Sequence, residues 1–169
     1  MTDSFFSPMD VEALAKMLRE RKWKIAVAES CTGGLLAGAL TSVAGSSDWF
    51  DRGLVTYSNE AKMELLGVAP QSLERHGAIS EQVAREMAAG TLASAREAHV
   101  AVSITGIAGP GGATEGKPVG MVCFGFARRR ENGLLVCSST EHFEGDRGAV
   151  RAASVQYVLR ALKAFSAPH

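Results

Sequence analysis

Hydrophobic and polar positions follow a helical period in three long segments of the chain. Apolar residues recur three and four positions apart after Asp10, which predicts an amphipathic helix that this residue caps. The same period after Ser80 predicts a long helix that extends to about Arg96. A third helix is expected over roughly 147–165, directly after Gly145-Asp146.

Between these segments, short apolar runs predict β-strands. The runs at 24–29, 52–58 and 99–106 predict three successive strands. Two further runs flank Glu131-Asn132-Gly133, which predicts a β-hairpin because Asn-Gly accepts positive φ. Shorter helical segments are expected from Gly33 to Gly45, from a cap at Asn59 to Gly67, and, as a turn or short helix, from Pro70 to Gly77.

The alternation of strands and helices, with one inserted hairpin, determines the predicted fold class. Connections of this kind place helices on both faces of a sheet. We therefore expect an α/β fold, a single three-layer α/β/α domain with a mixed β-sheet, over 1–169. A chain of 169 residues is long enough to bury a sizeable core.

Charge and hydropathy exclude several classes of partner. Lys plus Arg and Asp plus Glu number 18 each, so no overall field favours a nucleic acid or an anionic membrane. The run Arg128-Arg129-Arg130 is predicted to be a solvated strand end. No basic leader and no long apolar stretch are present, so we expect a cytoplasmic protein without a membrane segment.

The cysteine and histidine pattern does not indicate a metal site. The three cysteines lack a C-x-x-C spacing, and the four histidines, at 76, 99, 142 and 169, are scattered. Cys123 and Cys137 lie in apolar runs and are predicted to be reduced core residues. We expect no bound metal.

The stretch from Glu29 to Gly34 carries the first candidate chemistry. Ser30 lies where the first strand ends, and Thr32-Gly33-Gly34 opens a helix whose free N–H groups can hold an anion or an oxyanion. A serine at such a turn is more often a cap than a nucleophile. Cys31 is the alternative nucleophile.

A nucleophilic serine needs a base, and Lys62 is the best candidate. If Asn59 caps the helix, Lys62 lies in its first turn, where the positive end of the helix dipole disfavours the ammonium form. Tyr57, at the end of the preceding strand, is expected in the same cleft. His76 and His142 are alternatives without a favourable sequence context.

Further polar residues are expected near the same edge of the sheet. Thr105 ends the third strand, and sites in open α/β sheets form beyond the carboxyl ends of strands. The glycine-rich loop at 107–118 is suited to close over a ligand. Arg147 and Arg151 share one helix face, where they would either grip a phosphate or pair with Glu144 and Asp146.

Several of these stretches together resemble the CinA C-terminal domain family, the nicotinamide-nucleotide amidases. The resemblance rests on AESCTGGLLA, GSSDWFDRGLVTYSNEAK, HGAISEQVAREMA, SITGIAGPGG, KPVG and GDR. It covers about 10–163, and the motifs occur in the family's order. The N-terminal domain of full-length CinA proteins has no counterpart here, so the chain is similar to the stand-alone form.

The resemblance implies hydrolysis of nicotinamide mononucleotide to nicotinate mononucleotide and ammonia, in pyridine nucleotide recycling, without cofactor or metal. It implies that Ser30 is the nucleophile and Lys62 the base, with Tyr57 beside them. The substrate-binding residues that it implies are Thr32, Gly33, Gly34, Asn59, Thr105, Gly106 and Arg147. Family members are commonly oligomeric, so we expect a homodimer. The alternatives are a non-catalytic nucleotide- or partner-binding module and a cysteine hydrolase that uses Cys31.

Overall fold

Residues 5–167, the part of the chain that the computed structural model describes, form six α-helices and five β-strands. The helices are α1 (Pro8–Arg21), α2 (Leu35–Leu40), α3 (Asn59–Leu66), α4 (Pro70–His76), α5 (Glu81–Ser94) and α6 (Arg147–Phe165). The strands are β1 (Ile25–Glu29), β2 (Phe50–Val55), β3 (Val100–Gly106), β4 (Met121–Arg130) and β5 (Gly133–His142). The expectations that concern residues 1–4 and His169 lie outside the described residues.

The five strands form one mixed sheet in the order β2-β1-β3-β4-β5. β1 runs parallel to β2 and β3, whereas β3, β4 and β5 are antiparallel neighbours. One face packs against α1, α2 and α6, and the other against α3 and α5. This arrangement confirms the predicted three-layer α/β/α fold with a mixed sheet.

The parallel register brings three strand ends to one edge of the sheet. Glu29, the last residue of β1, pairs with Val55 of β2 and with Ile104 of β3. The residues that follow each strand therefore meet at this edge. Ser30 and Tyr57 are among them.

Two predicted helix caps are wrong: the cap of α1 lies three residues before Asp10, and the cap of α3 lies one residue before Asn59. Ser7 caps α1, and its hydroxyl accepts a hydrogen bond from the N–H of Asp10. Ser58 caps α3 in the same way and leaves Asn59 as the first helical residue. In both cases another good capping residue stood nearby, and the sequence pattern did not distinguish between them.

The helix after β1 is also shorter than predicted. Gly33 and Gly34 both have left-handed φ, of 55° and 107°, so α2 begins only at Leu35 and ends at Leu40 rather than near Gly45. A 3-10 turn at Ser46–Asp48 follows. β2 lies at 50–55 instead of 52–58, and the residues after Val55 form the turn that leads to α3.

The arginine run at the end of β4 is not simply a solvated strand end. Arg128 donates to the carbonyls of Phe165 and Ala167 at the end of α6. Arg129 donates to the carbonyls of Leu92, Ala95 and Ala98 at the end of α5. Each arginine thus adds a donor to backbone carbonyls at or just beyond a helix C-terminus, where the regular intrahelical donors run out.

One cysteine prediction is wrong as well. Cys123 is buried, as predicted, whereas Cys137 is exposed on β5, the last strand of the sheet.

Gly90 of α5 determines how closely α3 approaches. A Cβ atom built on Gly90 would lie 1.8 Å from the carbonyl oxygen of Leu66, one turn after Lys62. We predict that Gly90→Ala lowers the free energy of unfolding by about 1–3 kcal/mol, because α3 must move away.

Gly38→Ala is the matched control for this prediction, because no atom lies within 4 Å of its added Cβ. This helical substitution should be neutral or stabilising by about 0.5–1 kcal/mol. Urea unfolding of both variants measures the difference. Equal stability of the two variants would contradict the close packing of α3 on α5.

Candidate active site

The side chains at the end of β1 alternate between the two faces of the sheet. Val27 lies in the cluster under α1, α2 and α6, and Ala28 in the cluster with α3 and α5. Ser30 continues the second set and faces α3. Cys31 belongs to the first cluster, on the opposite face.

Lys62 of α3 reaches the Ser30 hydroxyl. Its Nζ lies 3.2 Å from Ser30 Oγ, and the whole residue is only 1% exposed. The same Nζ donates to the carbonyl oxygens of Thr56 at 2.9 Å and Tyr57 at 3.2 Å. Three oxygen atoms therefore surround one buried nitrogen.

This arrangement suits both protonation states of the lysine. A neutral amine has two N–H donors and a lone pair, so the two carbonyls can take both donors and leave the lone pair to Ser30. An ammonium has three donors, and all three then have acceptors. The site can thus receive a proton from the serine without moving the nitrogen, which is the geometry required of a general base.

Burial lowers the pKa of Lys62, because removal from water disfavours the charged amine. The nearby Cys31 acts weakly in the opposite direction. A lysine that carries a free amine closer to neutral pH can accept the serine proton.

Glu29 is held away from the lysine. Its carboxylate accepts hydrogen bonds from the Thr32 hydroxyl at 2.6 Å and from the N–H groups of Leu36 and Ala37 at 2.8 and 3.1 Å. It therefore occupies the beginning of α2, which cannot offer these two N–H groups to a ligand. The N–H groups predicted to hold an anion at the beginning of this helix are therefore limited to those before Leu36.

Donors for an oxyanion remain in the turn before α2. The N–H of Gly33 is bonded to the Ser30 carbonyl at 3.0 Å. Within residues 5–167, the N–H groups of Thr32 and Gly34 donate to no protein acceptor. These two groups, and the N–H of Cys31, which has no acceptor outside its own residue in this part of the chain, are the candidates for an oxyanion hole beside Ser30.

The alternative nucleophile and the alternative bases are poorly placed. Cys31 is 6% exposed, and burial raises the pKa of its thiol to about 11. A thiol in this state carries almost no reactive thiolate at neutral pH. His76 and His142 are exposed, and neither hydrogen-bonds with Ser30 in the described part of the chain.

Arg147 connects two segments at the mouth of the site. Its guanidinium donates to the Tyr57 hydroxyl at 3.1 Å and to the Gly109 carbonyl at 2.8 Å. Tyr57 is 59% exposed, so its ring borders the site while its carbonyl holds Lys62. Tyr57 and Arg147, two of the predicted site residues, are thus in contact.

Arg151 lies one turn further along α6 and holds the turn that contains Ser30. Its Nε donates to the carbonyl of Cys31 at 3.1 Å, and its Nη2 to that of Thr32 at 3.4 Å. Neither Arg147 nor Arg151 pairs with Glu144 or Asp146 in the described structure.

Other predicted site residues are engaged elsewhere or stand apart. The Thr105 hydroxyl is buried and donates to the Ala78 carbonyl at 2.8 Å. Gly106 lies so close to β4 that an added Cβ would be 2.8 Å from Val122. Asn59 is exposed on the first turn of α3. Their roles in substrate binding stay predictions.

Thr56 is a residue that sequence reasoning missed. Its carbonyl accepts from Lys62, and its buried hydroxyl has no hydrogen-bond partner among residues 5–167. Any residue type can supply a backbone carbonyl, so the sequence offered no signal for this contact.

The described residues also contain no cluster of potential metal ligands and no helix long and apolar enough to cross a membrane.

The chain is similar to known proteins over almost its whole length. The sequence model of the CinA C-terminal domain matches residues 9–166. The chain belongs to the CinA C-terminal domain family. One family relative, the nicotinamide-nucleotide amidohydrolase PncC of Enterobacter agglomerans, is 50% identical over 166 residues, which are 98% of this chain and 98% of that protein.

Longer and structurally known members of the family are similar too. A CinA-like protein of Chlorobaculum tepidum is 51% identical over 152 residues, which cover 89% of this chain but 36% of that protein. The crystal structure of the competence/damage inducible protein CihA from Agrobacterium tumefaciens superposes with a TM-score of 0.88 at 40% identity, over 97% of this chain and 99% of that one.

The lowered pKa of Lys62 predicts a pH-dependent stability. Between its folded pKa and the ordinary value near 10.4, the unfolded chain binds a proton that the folded chain lacks. Stability from this group therefore rises with pH, by about 1.4 kcal/mol per pH unit at most. Lys62→Met removes the effect, so the stability of the wild type relative to this variant should increase towards pH 10.

Denaturant unfolding of both proteins across this pH range provides the measurement. Lys16→Met, which changes a lysine side chain that is 78% exposed, is the control and should follow the wild type at every pH. Parallel curves for the wild type and Lys62→Met would show that the buried lysine keeps its ordinary pKa.

Proposed function

We propose that this protein is a nicotinamide-nucleotide amidase, which hydrolyses the carboxamide of nicotinamide mononucleotide to nicotinate mononucleotide and ammonia. The observation that carries the proposal is the buried Lys62 Nζ, 3.2 Å from Ser30 Oγ, in a chain 50% identical to PncC amidohydrolases over nearly its full length. A serine with a neutral lysine as base is suited to cleave an amide without a metal.

The first half of the reaction forms an acyl-enzyme. Ser30 Oγ attacks the carboxamide carbon while its proton passes to the lone pair of Lys62. The oxygen of the tetrahedral intermediate accepts hydrogen bonds from N–H groups in the turn, with Thr32 and Gly34 as candidates. Lys62, now an ammonium, donates its proton to the leaving nitrogen, and ammonia departs.

The second half returns the enzyme to its starting state. A water molecule enters where ammonia left and gives a proton to the amine of Lys62 as it attacks the ester carbon. The intermediate collapses, and Ser30 recovers its proton from the same lysine. The carbonyls of Thr56 and Tyr57 keep the nitrogen in place through both proton transfers.

Arg147 is the candidate for binding the nucleotide phosphate. Its guanidinium is exposed at the beginning of α6 and faces the cleft through Tyr57 and the loop at Gly109. A phosphate would displace one of these neutral partners and gain a charged one. The Asp146 carboxylate caps the same helix and would repel a phosphate. A bound phosphate is therefore expected beside Arg147 and away from Asp146.

Substitution of the two adjacent candidate nucleophiles tests the proposal. Ammonia release from nicotinamide mononucleotide, in the presence of a chelator, should fall by several orders of magnitude in Ser30→Ala, about 10⁴-fold or more. Cys31→Ala removes a thiol on the opposite face and should keep most of the activity. If Ser30→Ala is active and Cys31→Ala is not, the protein is a cysteine hydrolase. If the wild type binds the nucleotide but releases no ammonia, it is a non-catalytic module.

Lys62→Arg in the same assay tests the base. The guanidinium stays protonated in any folded protein, so this variant should be nearly as inactive as Lys62→Ala although it keeps the charge. The wild-type rate should rise with pH as Lys62 loses its proton, which gives the pH–rate profile a rising limb. Near-normal turnover by Lys62→Arg would leave the lysine only a positioning role.

We propose in addition that the protein is a homodimer. Three hydrophobic side chains near the edge strand β2 are exposed: Val55 at its end, Tyr57 in the turn that follows and Leu65 on α3, at 50%, 59% and 51%. An uncovered strand edge with apolar side chains favours association. Light scattering at micromolar concentration should give twice the chain mass of 17.8 kDa, and a monomeric mass would contradict the proposal.

A further inference from the structure

Arg151 contacts two successive carbonyls of the turn that carries Ser30. The contacts to Cys31 and Thr32 come from the same guanidinium, at 3.1 and 3.4 Å. A planar guanidinium can donate in two directions in one plane, which suits two neighbouring peptide oxygens. It therefore fixes the orientation of two consecutive peptide groups.

The orientation of the first peptide determines where its N–H points. In a trans peptide the C=O and the N–H are opposed. Because Arg151 of α6 holds the Cys31 carbonyl, the N–H of Thr32 is directed away from α6. Ser30 projects to that other side, towards α3.

The second peptide closes the turn. The Thr32 carbonyl accepts from Arg151 and, at 3.0 Å, from the N–H of Leu35, while the N–H of Gly33 donates to the Ser30 carbonyl at 3.0 Å. Gly33 and Gly34, both at left-handed φ, give this segment little stiffness of its own. Besides these two backbone hydrogen bonds, Arg151 holds the turn from one side, and the carboxylate of Glu29, which binds the Thr32 hydroxyl, holds it from the other.

We infer that Arg151 is a positioning residue, which orients the free N–H of Thr32 as an oxyanion donor for the reaction at Ser30. The positive charge on the carbonyl also polarises the peptide and strengthens its N–H as a donor. This role acts through the peptide group and requires no contact between Arg151 and the substrate. The inference rests on the proposed amidase function.

Arg151→Gln and Arg151→Lys test the inference in the full-length protein. Arg151→Gln should lower kcat for nicotinamide mononucleotide by about 10²-fold, as loss of one oxyanion donor does, with KM unchanged. Arg151→Lys should recover only part of this loss, because it keeps the positive charge but is shorter and lacks the planar fork that binds the two peptide oxygens. Arg160→Gln, on an exposed part of the same helix, is the control and should keep the wild-type kcat.

Two readouts separate positioning from a general loss of structure. The pH at which the rate limb rises should be the same in Arg151→Gln as in the wild type, because Lys62 and Ser30 keep their distance. Thermal unfolding checks that the variant is folded, and Arg151→Lys carries the test if Arg151→Gln is not. A rise in KM alone would make Arg151 a phosphate ligand, and an unchanged kcat or a displaced pH limb would overturn the inference.

A substrate-independent measurement distinguishes failure of this inference from failure of the proposed function. A fluorophosphonate labels an activated serine and places its phosphonyl oxygen in the oxyanion hole, so labelling of Ser30 should slow in Arg151→Gln by a factor similar to that for kcat. If the wild type labels at Ser30 but releases no ammonia, the amidase proposal fails and labelling alone decides the role of Arg151. Equal labelling rates in the wild type and Arg151→Gln would refute that role.

Discussion

The site depends on one buried lysine nitrogen and the three oxygen atoms around it. An amine without such acceptors would be expensive to bury, because lysine is seldom fully removed from water. Here the turn between β2 and α3 supplies the carbonyls of Thr56 and Tyr57, and the turn after β1 supplies the Ser30 hydroxyl. The parallel pairing of β1 with β2 is therefore what makes the buried lysine possible.

The same constraint extends to the helix that carries the lysine. The Ser58 cap sets where α3 begins, and the absence of a side chain at Gly90 lets its last turn lie against α5. Lys62 lies between the cap and this contact, so both determine the distance from its Nζ to Ser30. The geometry of the Ser30–Lys62 pair thus depends first on how α3 packs and only secondarily on the two side chains.

The sequence predicts the sheet, the order of its elements and the Ser30–Lys62 pair, because apolar periodicity, turn residues and long family motifs are all local signals. It does not predict the contacts that depend on distant partners. Arg128 and Arg129 appear as a charged run, yet they bind the carbonyls of Phe165 and Ala95, 37 and 34 positions away, at the ends of α6 and α5. Arg151 likewise acts on carbonyls 120 and 119 positions away, which no pattern of residue types reveals.

Position favours Ser30 over Cys31 as the nucleophile, although the thiol is intrinsically the stronger acid. A free thiol is far more acidic than a serine hydroxyl, so Cys31 would be the better nucleophile in water. Alternation at the end of β1 directs it into the apolar cluster under α6, where burial raises the pKa of its thiol to about 11. Ser30, one residue earlier, faces the only buried amine among the described residues. A weak acid beside a base of lowered pKa is more readily activated than a stronger acid that no base can reach.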